Sequence, residues 1–305
     1  MPLDKSYLEY PKRLYGMDHD RYDWEMLTDR KKVIWPDNKK LALWVNVSLQ
    51  FFPLNQKGIP TKPPGGMTMP YPDLRHFSLR DYGNRVGIYR MLRTFDKYRV
   101  EATYAVNGEL ARRIPYLMST LKDRKVELLG HGWNMDTIHH NGMGNEADII
   151  KRTIDTLSKY AAKNITGWLS PGRYESHQTP ELLKSSGIEY FCDWVNDDMP
   201  YEFRTDFGPL TAMPLSNELE DRFILLSNLH SEQSYAEQIK DAADLLIKEA
   251  EDQGGRILGL SLHPWMMGQP HRIGTLEDIL EYLMSRKEVW SASASEILSH
   301  WRNQQ

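Results

Sequence analysis

The chain has 305 residues, 40% of them apolar and 26% charged, with a formal net charge of −4. That make-up is ordinary for a water-soluble globular protein and gives no electrostatic claim on nucleic acid or on an anionic membrane. The single cysteine, Cys192, excludes an intrachain disulfide and a cysteine-based zinc cluster. There is no run of about 18 apolar residues to span a bilayer, and residues 1–10 lack the apolar stretch of a signal peptide, so a cytoplasmic location is expected.

Residues 1–38 mix Pro, Tyr, Trp and charges without a period, and are expected to form an arm lying over the main domain or over a neighbouring subunit. The remainder, 39–305, reads as one domain. Leu41 to Leu49 (LALWVNVSL) is a continuous apolar run suited to a strand buried on both faces, and Gln50 stands at its end. Phe52 to Phe77 is rich in Pro and Gly and predicts a long ordered loop of the kind used for lids, binding or subunit contacts. Asp81-Tyr82-Gly83-Asn84-Arg85-Val86-Gly87 leads into a helix from Ile88 to Tyr98, striped by Ile88, Met91, Leu92 and Phe95. Arg85, near its start, suits a bond to a carbonyl. Val100 to Val106 is a second strand, and helical turns follow around Pro115.

Val126 to Gly130 is a third strand, closed by Gly130-His131-Gly132. Glycines on both sides leave little backbone in front of the imidazole, which can bind metal or move protons near neutral pH. Asn145 to Ala162 is a helix, Gly167-Trp168-Leu169-Ser170 a short strand leading to Arg173 and Glu175, and Thr179-Pro180 the N-cap and first turn of a helix. Ile188 to Cys192 ends in Asp193-Trp194, and Leu210 to Pro214 is followed by Asn217-Glu218. A helix from Tyr235 to Glu251, the strand Arg256 to Leu262 ending in His263-Pro264-Trp265, a helix from Thr275 to Met284, a strand at Val289-Trp290 and a helix from Ser295 complete the chain.

Strand and helix alternate about seven times, which predicts an α/β fold, a distorted or incomplete (β/α) barrel of about seven parallel strands. In such barrels the C-terminal strand ends form the functional face. Gln50, His131, Arg173, Asp193, Glu218 and His263 sit at those ends.

The order of these strand ends resembles the polysaccharide deacetylase (NodB-homology, carbohydrate esterase family 4) superfamily, over about residues 40–301. The nearest resemblance is to the branch with cofactor-independent allantoinases. It is carried by Tyr82-Gly83-Asn84-Arg85-Val86-Gly87, His131-Gly132-Trp133, Gly167-Trp168, Asp197-Asp198-Met199-Pro200-Tyr201, Leu262-His263 and Ile297-Leu298-Ser299-His300-Trp301. Typical superfamily members carry two consecutive aspartates at the first strand end and a second histidine four residues after the first. This chain has Ser48-Leu49-Gln50-Phe51 and Met135 there, so of the family's metal triad only His131 remains.

Three readings follow. The first is a metal-independent hydrolase of a non-peptide C–N bond in a small cyclic amide, imide or ureide. In it His131 or Glu218 activates water, His263 protonates the leaving nitrogen, and Gln50 and Arg173 hold a carbonyl oxygen or a carboxylate. Asp193, Trp133 and Trp265 are further candidates for the pocket wall. No cofactor is expected on this reading. The second is a deacetylase with a divalent metal such as zinc on unusual ligands, for which His139, His140 and Asp136 are the nearby candidates beside His131, although the two histidines read as exposed loop residues. The third is a non-catalytic carbohydrate- or metabolite-binding barrel. The expected partner is a small-molecule substrate, with neither nucleic acid nor membrane, and the branch resemblance with the aromatic arm and long loop implies a homo-oligomer. Bland roles compete throughout: Arg173 as partner of Asp193 or Asp198, Glu175 and Glu218 as solvated acids, the tryptophans as core, and Cys192 as an inert thiol.

Overall fold

A computed structural model describes residues 19–26, 29–56, 70 and 72–305. Its organising element is β1 (Leu41–Leu49), every residue of which is buried. β-branched and large apolar side chains on both faces suit a central parallel strand covered on each side. β2 (Ala102–Val106) and β8 (Arg256–Leu262) flank it in parallel. From β2 the sheet continues through β3 (Glu127–Gly130), β4 (Gly167–Trp168), β5 (Tyr190–Phe191) and β7 (Leu210–Ala212), all parallel. β6 (Tyr201–Phe203) adds antiparallel to β7, and β9 (Val289–Ser291) pairs with the start of β1.

The path β7-β5-β4-β3-β2-β1-β8 therefore holds the expected seven parallel strands. Among the described residues β8 pairs with neither β6 nor β7, so the sheet curls without closing. Leu215 leans across that gap to Gly259, where a Cβ would meet its side chain at 3.1 Å. Two layers of side chains result. Leu41, Leu43, Val45 and Val47 face the outer helices, whereas Ala42 and Trp44 face inward with Leu129, Tyr190, Met213 and Ile257. The floor is closed by Trp35, whose indole donates to the Arg256 carbonyl at 2.9 Å. Higher along β1 the inward positions turn polar, at Asn46 and Ser48, and Ser261 does the same on β8.

The helices are α1 (Leu74–Tyr82), α2 (Ile88–Tyr98), α3 (Gly108–Arg113), α4 (Pro115–Asp123), α5 (Glu146–Leu157), α6 (Thr179–Ser185), α7 (Glu232–Gln253), α8 (Pro264–Met267), α9 (Ile273–Met284) and α10 (Ala294–Arg302). The expected loop up to Phe77 is shorter than predicted, because α1 begins at Leu74, capped by the Asp73 carboxylate on the His76 amide. The middle of that loop, 57–69, and Tyr71 lie outside the described residues. α1 and α2 are joined by one π turn, Gly83–Gly87. Thr179 is the first helical residue of α6, not its cap, and its hydroxyl is drawn instead to Glu146. β6 is too short and too polar to have been legible as a strand.

Before β1, Tyr22 packs edge-on to Trp194 and against Tyr201, and Arg30 pairs with Asp197. No helix among the described residues is long and apolar enough to cross a membrane.

Candidate active site

Register places the strand ends in one row. Leu49, Val106, Gly130, Trp168, Phe191 and Ala212 are successive partners across the sheet, and Val47 faces Leu262. The residues that follow them line a cleft of about 170 Å³, walled by Gln50, Met135, Arg173, Glu220, His263 and Trp265 among others. His131 stands at its centre, 2% exposed. Its amide donates to the Val106 carbonyl and its carbonyl accepts from the Asn107 side chain, while the other end of that amide takes the Phe51 N–H at 2.8 Å. Asn107 thus ties the ends of β1 and β3 together. Gly130 is required because a Cβ there would lie 2.3 Å from the Trp168 ring, and Gly132 because its φ is +62° and a Cβ would meet Pro171 at 2.4 Å.

The His131 ring has one tautomer. Nδ1 lies 2.6 Å from the Leu169 carbonyl, which can only accept, so Nδ1 carries the hydrogen. Nε2 then presents a lone pair to the cleft, where the Gln50 amide nitrogen sits at 3.3 Å. Burial lowers the imidazole to about 4, so the ring is neutral at physiological pH. Its cleft-facing nitrogen is an acceptor.

His263 is built the opposite way. The Asp221 carboxylate, fully buried, takes the His263 backbone N–H on one oxygen and Nδ1–H on the other, both at 2.7 Å. Nε2 faces Glu220 at 4.0 Å. An imidazole backed by a carboxylate can hold a proton in transit. Glu220 also lies 2.8 Å from Arg222 Nε and 3.6 Å from Arg173. Burial acts to raise its carboxyl, but His263, Arg222 and Arg173 together outweigh this and hold it below its ordinary value.

The sequence-derived candidates divide. His131, His263, Gln50, Arg173 and Trp265 line the cleft. Glu218 does not. It is exposed, and the buried acid of that segment is Glu220, two residues on, where the chain turns inward after Leu219. Trp133 is a core residue, its ring under the Arg152 guanidinium at 3.5 Å and against Gly108. Asp193 is likewise behind the wall, accepting the Ser170 amide at 2.7 Å. Arg173 pairs with neither Asp193 nor Asp198 but with Glu220 and the Cys192 carbonyl. His139, expected to be exposed, is fully buried with Nδ1 3.1 Å from Glu146, whereas His140 is exposed. Arg85 is exposed beside Asp81 rather than bonded to a carbonyl. Sequence reasoning missed Arg80, Glu220, Asp221 and Arg222. The charged triplet 220–222 next to apolar Phe223 to Leu226 was the available signal, since a charge run that is also flanked by core must point somewhere buried.

A divalent metal, which the family resemblance implies, does not fit the donors present. The Gln50 amide is the group at His131 Nε2, and the lining adds the Ser48 hydroxyl, the Met135 thioether, the second imidazole of His263 and three arginines. None of those near groups carries negative charge, and the one carboxylate of the wall, Glu220, is already bound by two arginines. No group of three His, Cys, Asp or Glu suited to a metal occurs among the described residues. Hard divalent ions need oxygen or imidazole ligands in larger number than this.

Residues 80–191 match the family model for polysaccharide deacetylase. A Schizosaccharomyces pombe protein named "Putative polysaccharide deacetylase" is 24% identical over 88% of this chain and 92% of its own. Two solved structures superpose closely. A "probable Polysaccharide deacetylase" from Pseudomonas aeruginosa aligns with a TM-score of 0.81 at 23% identity, over 91% of this chain and 96% of that one. A PuuE allantoinase aligns with a TM-score of 0.83 at 22% identity, over 95% and 99%. At such identities the two structures establish the fold.

Proposed function

We propose that this chain, whose residues 80–191 match the polysaccharide deacetylase family model, is a hydrolase of a non-peptide C–N bond in a small cyclic amide, imide or ureide, working without a metal. The observation that carries the reading is the pair of imidazoles at one cleft, one a fixed neutral acceptor and the other backed by Asp221. A cleft of about 170 Å³, below the ~300–1,000 Å³ of pockets for drug-sized ligands, suits a small ring.

In this scheme a water attacks the carbonyl carbon and gives a proton to His263 Nε2. Asp221 stabilises the imidazolium that forms. The carbonyl oxygen gains negative charge and is met by donors already in the cleft, the Gln50 amide and the Arg173 guanidinium. The C–N bond then breaks and His263 returns its proton to the leaving nitrogen, so the ring opens with one water consumed. His131 Nε2 accepts from a substrate N–H and sets the ring plane. Glu220, held ionised among cations, keeps Arg173 and Arg222 in place rather than acting as base.

The test is hydrolysis of a panel of hydantoins, imides and allantoin by metal-stripped protein, with acetylated chito-oligomers alongside. Ring opening that persists in chelator is expected. His263→Asn and Asp221→Asn should each lose roughly 10²–10⁴-fold in kcat, the range for a positioned acid–base. Activity on the oligomers alone, appearing only with added zinc, nickel or cobalt, would overturn the reading. A cytosolic setting and a homo-oligomer belong to the same proposal. Buried Cys192 suits the first, and Trp24, Met26 and Ile34 before β1 with Leu54 and Leu74 after it, all exposed, suit the second.

A further inference from the structure

Arg80 is the charged residue of the cleft that the proposed reaction leaves without a task. It lies on α1, is only 7% exposed, and faces the cavity beside Trp265 and Phe52. Its guanidinium stacks 3.4 Å from the Trp265 ring centroid and 5.1 Å from that of Phe52. Among the described residues it makes no hydrogen bond and no ion pair, and its Nε is buried without any partner. Burial, and then the charge of neighbouring Arg222, push it down to about 9, so it stays charged at neutral pH. Every other arginine of the cleft is spoken for at least in part, Arg222 by Glu220 and Arg173 by Glu220 and the Cys192 carbonyl.

Asp221 acts on it only from a distance, and a buried charge with no bonded counter-ion is expensive unless something supplies an anion at contact. Stacking on the indole offsets part of the cost and fixes the plane of the fork, but it leaves the N–H edge open. Three guanidinium groups against one lining carboxylate also leave the wall of the cavity net positive. A planar two-point donor in this state is suited to a carboxylate.

We infer that the substrate carries a carboxylate, which is received by Arg80 with Arg222 beside it, while the ring amide lies under His131 and His263. This inference rests on the proposed hydrolysis and narrows it to cyclic amides, imides or ureides bearing a carboxylate substituent. It also gives Phe52 and Trp265 a purpose, since an apolar collar around Arg80 excludes water from the charge pair and strengthens it.

The experiment compares matched rings with and without the charge: hydantoin-5-acetate against hydantoin, and dihydroorotate against dihydrouracil. The wild type should favour the carboxylated member in kcat/KM by roughly 10–100-fold, the value of a charge-assisted bond in a dry site. Arg80→Met should erase most of that preference and Arg80→Lys should restore part of it. A wild type indifferent to the carboxylate, or an Arg80→Met variant that keeps the preference, overturns the inference and leaves the hydrolase reading standing. If no ring is opened at all, the hydrolase reading fails, and calorimetric binding of hydantoin-5-acetate then decides: loss of binding in Arg80→Met upholds the carboxylate site, and equal or no binding overturns it. Succinate against succinamide as competitors of the wild type tests the same point without a variant that has to fold. Succinate should compete and succinamide should not, and equal competition counts against the site.

Discussion

Glu175 and Asp193 are two carboxyls packed together behind the cleft wall, with the Trp194 indole on one Glu175 oxygen at 3.2 Å. Burial, and then the Asp193 charge, push the Glu175 carboxyl up to about 9. Glu175 therefore keeps its proton at neutral pH beside Asp193, whose carboxyl accepts the Ser170 amide and so holds the loop that carries Arg173. In the unfolded chain an ordinary glutamate loses that proton near 4.5. The unfolded state thus binds fewer protons between about 4.5 and 9, and the stabilising share of Glu175, complete below 4.5, is lost as pH rises through that window. Thermal melts should show Glu175→Gln gaining on the wild type as pH goes from 5 to 8. An equal difference at every pH would count against the raised Glu175 carboxyl. The same residue-scale logic separates the two histidines. Both were legible as glycine- or proline-flanked strand ends, but their tautomers depend on Leu169 and Asp221, residues 38 and 42 positions away.

The π turn at Gly83–Gly87 shows how an element positions the site. It packs directly under α8, the turn that follows His263. A Cβ at Gly87 would lie 2.1 Å from the Pro264 carbonyl oxygen, and one at Gly83 would lie 2.5 Å from the Trp265 amide nitrogen. Asn84, in the same turn, donates to the Gln50 carbonyl at 2.9 Å. One short segment thus ties the end of β1 to the end of β8, which explains why its glycines matter although none touches the cleft. Gly87→Ala overpacks a backbone-to-backbone contact and should cost about 1–3 kcal/mol, read as a fall of several degrees in Tm. Because Pro264 directly follows His263, the displaced turn should also lower kcat/KM. An alanine variant with unchanged Tm and turnover would mean that the contact relaxes freely.

At the scale of the whole molecule the curled sheet leaves its interior graded. Trp35, Trp44 and α10 close the floor, Asn46, Ser48 and Ser261 occupy the middle, and the cleft opens above them. This grading limits the reaction to one end of the sheet. The segment before β1 and the residues flanking 57–69 carry the exposed apolar side chains noted above, and a homo-oligomer built on them is the expected state. Light scattering on the purified chain should give a multiple of its 35.6 kDa mass; the monomer mass would refute it.

The sequence alone determined the α/β alternation, because a fully apolar strand such as Leu41 to Leu49 and amphipathic helices such as Ile88 to Tyr98 declare their burial through local periodicity. It also placed His131, His263 and Gln50 one residue beyond recognisable strands and Arg173 in the loop after another, and all four line the cleft. Only the tertiary structure decided the rest. Glu218 and Glu220 are equally acidic and two residues apart, and whether each points to solvent or to His263 depends on how the chain turns after Leu219. Arg80 lies in what reads as an ordinary charged helix, and its lack of a bonded counter-ion becomes visible only once Trp265, from the far end of the chain, is laid across it. Burial of charge is a property of the assembled surfaces, and the cleft's preference for an anion was decided there.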